Sequence, residues 1–252
     1  NPNPYPGWFS ERSIHELIYN VYDSNANFVP AGSTTRDNVA LGFGPIFDAL
    51  TGPLKNTPAQ TSVFPFINAL QHAAPLDQLN IDALVRAEGM DSIVDAYGTT
   101  ETHFGTPPTP KLISVYDSVS VNGGASNVCS LDDFKSTASG SADKLGSRRY
   151  VRFSVATSGT YTFRATAVNP PAAADPDLAL HQVGSIANSA GPPSASCTQS
   201  WQTTPGVCTE SFNAPLSPGD YTLEVYEWTN IADDPSHPPI GDTCFDVTVA
   251  GP

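Results

Sequence analysis

Carboxylates set beside turn residues are the most chemically suggestive feature of this 252-residue sequence. Asp175-Pro176-Asp177, Asp132-Asp133 and Asp233-Asp234, the last with Glu227 nearby, all offer hard oxygen donors. Calcium takes roughly 6–8 oxygens, often from separate loops, so each segment is a candidate ligand source and Asp175 with Asp177 is the favoured pair. Asp beside Pro also initiates turns, which is its commoner structural use. A second lead is His15-Glu16-Leu17-Ile18-Tyr19, which begins like the H-E-x-x-H helix of zinc peptidases. Tyr19 stands where the second imidazole is needed, one helical turn on, so the paired zinc ligands are missing. Glu11 could serve as a zinc ligand only without those two histidines. As a first-turn acid it otherwise favours the helix dipole. The remaining histidines (His72, His103, His181, His237) are scattered, and no G-x-S-x-G, G-x-x-x-x-G-K or G-x-G-x-x-G run is present.

Aromatic residues give a third lead. In the segment around 221–229, alternation puts Tyr221, Leu223 and Val225 on one face and Thr222, Glu224, Tyr226 and Trp228 on the other. The first face reads as core. The second, if open to solvent, sets Tyr226 and Trp228 as a platform for a sugar ring or a peptide. Trp201 lies in a loop that a Cys197–Cys208 bridge would close, and it either joins that surface or covers the two aromatics.

The elements that must position these residues fall into two grammars. Up to about residue 105 the apolar period is helical. Ser10 caps a stripe of Ile14, Leu17, Ile18, Val21 and Tyr22. Leu41, Phe43, Ile46, Phe47 and Leu50 form a second stripe that stops at Gly52-Pro53, and Val63, Phe64, Ile67 and Leu70 form a third. Two shorter helices are expected over 80–88 and 91–97, each ending at a glycine, Gly89 or Gly98. After Gly105-Thr-Pro-Pro-Thr-Pro110, a stiff linker over 106–111, the period changes to two. Strands are expected near 112–121, 151–155, 161–167, 177–183, 209–216, 220–229 and 245–249, which together make an antiparallel β-sandwich. Gly159-Thr-Tyr161-Thr-Phe163 and Gly219-Asp-Tyr221-Thr-Leu223 echo one another. The fold class is therefore multidomain, α followed by all-β: a helical segment over 1–105, the linker, and a sandwich over 112–252.

Composition narrows the function classes. The net charge is −14 and only 14% of residues are charged, so neither nucleic acid nor an anionic membrane is an expected partner. No apolar run reaches the ~20 residues of a membrane-spanning helix. The chain begins without Met and without a signal-like apolar core, as a mature product or a fragment would. Its four cysteines show no metal-type spacing and read as two disulfides made in an oxidising compartment. Three pairings are possible; Cys197–Cys208, closing a local loop, and Cys129–Cys244, tying the start of the second half to its last strand, are favoured.

Several segments carry a family resemblance. Gly7-Trp8-Phe9-Ser10-Glu11, Ile18-Tyr19-Asn20-Val21-Tyr22-Asp23-Ser24, Asp37-Asn-Val39-Ala-Leu41-Gly42-Phe43 and Thr61-Ser62-Val63-Phe64 resemble a region found late in certain secreted bacterial zinc metallopeptidase-like proteins. In those proteins the H-E-x-x-H helix and a glutamate ligand come earlier in the chain. Arg149-Tyr150-Val151-Arg152-Phe153, Gly159-Thr160-Tyr161-Thr162-Phe163, Asp175-Pro-Asp177-Leu178 and Pro218-Gly219-Asp-Tyr221-Thr-Leu223 are similar to bacterial pre-peptidase C-terminal (PPC) domains, over about 112–251. The resemblance implies a jelly-roll sandwich, secretion to the extracellular space or periplasm, and an accessory role in secretion, folding or substrate attachment. It also implies calcium in some relatives, zinc only with the missing catalytic part, and an upstream catalytic domain or chain as partner. Two alternatives stand beside it: a stand-alone module binding an extracellular protein or polysaccharide, and a hydrolase whose site no linear motif reveals.

Overall fold

A computed structural model describes residues 6–23, 37–104, 111–132, 144–169, 174–182, 208–231 and 238–252. The chain divides into two compact units, Asn1–Val115 and Tyr116–Pro252.

Among the described residues the first unit carries five helices: α1 (Glu11–Tyr22), α2 (Phe43–Thr51), α3 (Pro53–Asn56), α4 (Val63–Ala73) and α5 (Gln78–Ala87). Ser10 caps α1, its side chain accepting from the Ser13 backbone N–H at 3.4 Å. The buried face of α1 is Ser13, Leu17, Asn20 and Val21, while Tyr22 turns outward. Polar side chains tolerate that face because their groups are satisfied locally. Ser13 Oγ accepts from the Gly7 N–H at 3.2 Å, and Asn20 Nδ2 donates to the Glu16 carbonyl at 2.7 Å. Around it Trp8, Phe9, Phe64, Ile67, Leu70, Ile81 and Leu84 are buried, with the Trp8 and Phe64 rings 5.4 Å apart. Gly98 has φ of +59°, and a Cβ there would meet the Phe64 ring at 2.4 Å, so both the turn and the packing require glycine.

Two expectations for this unit change. Residues 91–97 are not helical: 91–94 are irregular and 95–97 turn, where the Asp95 carboxylate accepts from the Tyr97 and Thr99 N–H groups and offers the backbone a local alternative. The division between the units is placed a few residues later than the Pro-rich segment. Strands β1 (His103–Phe104) and β2 (Lys111–Leu112) pair antiparallel on either side of it, and the division falls at Val115/Tyr116. Residues 105–110 themselves lie outside the described residues.

Among the described residues the second unit holds two four-stranded sheets. One is ordered β4-β10-β6-β8 and the other β3-β5-β9-β7. Their strands are β3 (Tyr116–Ser118), β4 (Ser126–Ser130), β5 (Arg149–Val155), β6 (Gly159–Val168), β7 (Pro176–Gln182), β8 (Thr209–Leu216), β9 (Gly219–Glu227) and β10 (Thr243–Ala250). Among the described residues, each successive strand from β4 to β10 lies in the opposite sheet to the one before it. The inward residues of both sheets share one core, in which Phe153 of one sheet lies 5.4 Å from Phe163 of the other. One pairing departs from an antiparallel sandwich: β3 runs parallel to β5, Tyr116 opposite Tyr150. The echoed Gly-x-Tyr-Thr motifs open β6 and β9. Each tyrosine hydroxyl donates to the carbonyl four residues earlier, Tyr161 to Thr157 at 2.6 Å and Tyr221 to Ser217 at 2.9 Å. The echo is structural. Cys129 and Cys244 face each other in the β4–β10 ladder and are disulfide-bonded. Cys208 is also disulfide-bonded; Cys197, its expected partner, lies outside the described residues.

Candidate functional site

The acidic and aromatic leads from the sequence meet at one corner of the sandwich. Antiparallel pairing sets Asp177 of β7 opposite Tyr226 of β9, and Pro176 opposite Glu227. Strand β9 ends at Glu227, so Trp228 does not continue its alternation. It opens a short helical turn, α6 (Trp228–Ile231), and its backbone N–H donates to the Asp175 carbonyl at 2.9 Å. Tyr226 and Trp228 therefore belong to different elements and do not form a platform on one strand face.

Glu227 is fully buried and its carboxylate holds the corner together. One oxygen accepts from the Asp175 N–H at 2.9 Å; the other accepts from the Thr229 N–H at 3.3 Å and the Thr229 hydroxyl at 3.0 Å. Burial nevertheless raises its pKa to about 7. Burial and then the Asp175 charge raise Asp177 to about 6, against a hydrogen bond from the Tyr226 hydroxyl and the charge of Arg148. Asp175 is raised by burial. Burial, with the negative charge of Asp177, pushes Tyr226 up to about 12.

Beside this corner, the outward residues of β7 and β9 form a network that no linear motif announced. The Glu224 carboxylate, 5% exposed, takes Arg148 on one oxygen and His181 Nε2 at 2.8 Å on the other. The Arg148 guanidinium also lies 4.6 Å from the centre of the Tyr226 ring and covers it, a cation–π contact. Burial and the Arg148 charge hold the His181 imidazole below its ordinary range. Strand parity contains the signal for this pairing, since His181 and Glu224 face outward on neighbouring strands; Arg148 lies just before β5 and only the fold brings it in.

Among the described residues no group of three or more His, Cys, Asp or Glu side chains is arranged to hold a metal ion. Asp175 and Asp177 are brought together, with two carboxylates and the Tyr226 hydroxyl as the local oxygen donors. Glu11 lies in the other unit, exposed in the first turn of α1, and His15 is exposed four residues on. Asp132 follows β4, where its N–H bonds Asp242 at 3.1 Å. Trp201, Asp133, Asp233, Asp234 and His237 lie outside the described residues.

Exposed apolar side chains gather in the first unit. On α2 only Ile46 and Ala49 are buried; Phe43 (64% exposed), Phe47 (49%) and Leu50 (49%) form an outward stripe at offsets of four and three. The Phe43 and Phe47 rings are 5.8 Å apart. Leu76, just before α5, and Leu79, in its first turn, are more exposed still.

No family model and no curated protein matches the chain. Among the solved structures similar to it are two from bacteria. The pre-peptidase C-terminal domain of collagenase from Bacillus anthracis is 15% identical, with a TM-score of 0.32, covering 53% of this chain and 93% of that one. A β-glucosidase from Paenibacillus barengoltzii is 14% identical, with a TM-score of 0.18, covering 71% of this chain and 17% of that one. Neither likeness, at these scores, bears on activity.

Proposed function

We propose that this chain is a non-catalytic accessory region of a secreted metallopeptidase-like protein, and that its helical unit docks onto a catalytic domain or chain. The observation that carries the reading is the α2 stripe of Phe43, Phe47 and Leu50, aromatic and aliphatic surface that favours burial against a partner. Two further features support it. The titratable groups of the sandwich corner are engaged in holding backbone and neighbouring side chains, Glu227 through three donors and Glu224 through Arg148 and His181. A disulfide within the sandwich accords with an oxidising, extracellular setting. Calcium at Asp175 and Asp177 belongs to the same reading, with further oxygens needed beyond this pair. The reading as a sugar- or peptide-binding module gains less, because Arg148 already covers the Tyr226 ring.

Photo-crosslinking from position 47 in the secreted protein tests the docking. The expected product contains the catalytic polypeptide of a peptidase. Crosslinks only between copies of this chain, or none, would overturn it. Turnover of casein or a peptide library by the purified chain alone would instead favour the hydrolase reading.

A further inference from the structure

The Cys129–Cys244 disulfide joins two strands that are held very unequally. Among the described residues β4 is the edge of its sheet and pairs only with β10, Ser126–Ser130 running antiparallel to Thr243–Val247. The strand sends one large aliphatic side chain, Val128, into the core. Side-chain ties are few. The Asn127 amide donates to Asp246 at 2.9 Å on the exposed side, and Ser130 Oγ donates to the Ser147 carbonyl at 2.8 Å and accepts from Asn230 Nδ2 at 3.5 Å. Strand β10 has a second ladder on its other side, where Cys244–Ala250 pairs with Thr162–Val168 of β6. Its Phe245, Val247 and Val249 are buried in the shared core. Strand β10 therefore keeps its place without β4, whereas β4 depends on β10 and on the bond.

Parity places the bond on the outer side of the sheet. Val128 and Ser130 of β4 and Thr243 and Phe245 of β10 are buried, so Cys129 and Cys244, opposite each other in the ladder, point outward and are half-buried. Cys208, also disulfide-bonded, is only 5% exposed. A disulfide within reach of solvent exchanges with thiols more readily than one in a core. We propose that Cys129–Cys244 is a thiol-sensitive latch that decides whether β4 stays on the sheet. A thiolate of a dithiol reductant attacks one sulfur and expels the other as a cysteine thiolate; the reductant's second thiol then displaces the remaining cysteine. The protein gains two thiols and the reductant leaves as its own disulfide. Strand β4 then frays from β10 by local opening. The β10 N–H and C=O groups that faced it become an open sheet edge, a surface to which another extended chain can pair. The inference does not rest on the docking role of α2.

Dithiothreitol, added to the oxidised full chain without denaturant, is the probe. Alkylation of freed thiols, read by mass spectrometry, should find Cys129 and Cys244 first and Cys208 later. Hydrogen exchange should then rise by about tenfold or more at residues 126–130 while the β6 and β8 amides stay protected. The double variant Cys129→Ser/Cys244→Ser should show the same local exchange with no reductant. Release of Cys208 before or together with the pair would overturn the inference. So would exchange rising throughout the second unit, which would make the bond a staple of the whole unit. Unchanged protection at 126–130 after reduction would overturn it as well.

Discussion

The two units bury their apolar residues by different rules. In the sandwich, each strand has two faces, and the apolar one faces the core: Tyr161, Phe163, Ala165 and Ala167 of β6 are all buried, while the alternating Thr160, Thr162 and Arg164 are outward. In the helical unit an apolar residue can lie on either side of its helix. Ile46 is buried on α2, and Phe47, one position on, is half exposed. A period of two leaves little choice about which face is inside, whereas a short apolar helix can satisfy its core contact with one or two side chains and leave the rest for another surface.

The largest effect expected from this contrast is at Phe163. It is fully buried between Phe153 at 5.4 Å and Phe212 at 4.9 Å, so Phe163→Ala removes two ring contacts and opens a cavity in the shared core. A loss of about 3–5 kcal/mol is expected in denaturant unfolding of the second unit. A loss under ~1 kcal/mol would mean that the two sheets do not share a tight core.

Next in size is a pH effect that both units should show. Burial raises Glu88 of the first unit and Glu227 of the second to about 7. A carboxyl whose folded pKa lies above its unfolded value binds its proton more tightly in the fold. Its contribution is therefore fully present below about pH 4.5 and lost as pH rises through about 7. Glu88 is 1% exposed, its Oε1 accepts no hydrogen bond, and the Glu16 charge nearby adds to the cost of ionising it. Glu88→Gln should remove on the order of 1–3 kcal/mol of the stability lost between pH 5 and pH 8. Parallel stability–pH curves for parent and variant would show that Glu88 ionises in the fold at its ordinary pKa.

Legibility in the sequence follows the same division. Strands β5, β6, β8, β9 and β10 were visible because alternation with a buried face is a strict pattern. Strand β4, Ser126–Ser130, was not, because of its five residues only Val128 is a large aliphatic, and its pairing comes from the β10 edge it lies on. A strand is expected near 112–121, where β3 lies, but three residues are too few to show that it runs parallel to β5. In the helical unit the existence of α1, α2, α4 and α5 was legible from stripes and caps, but not the rotation of α1 or the outward side of α2. Asp175 and Asp177 stood out by their spacing. The Arg148–Glu224–His181 network joins residues up to 76 apart in sequence, which only strand pairing brings together.

The smallest effect on stability, and the sharpest test of the contrast, is at Phe43 and Phe47. Each is about half exposed or more, so replacing both with serine removes mainly the contact between their own rings, 5.8 Å apart. The cost to the isolated chain should be within about 1 kcal/mol, as for other surface positions. If the stripe serves a partner, the same double variant should abolish the crosslink from neighbouring Leu50 while leaving the melting curve unchanged. A loss of several kcal/mol in the isolated chain would instead mean that α2 buries these rings within its own unit, and the docking surface would then have to be sought at Leu76 and Leu79, which are 96% and 84% exposed.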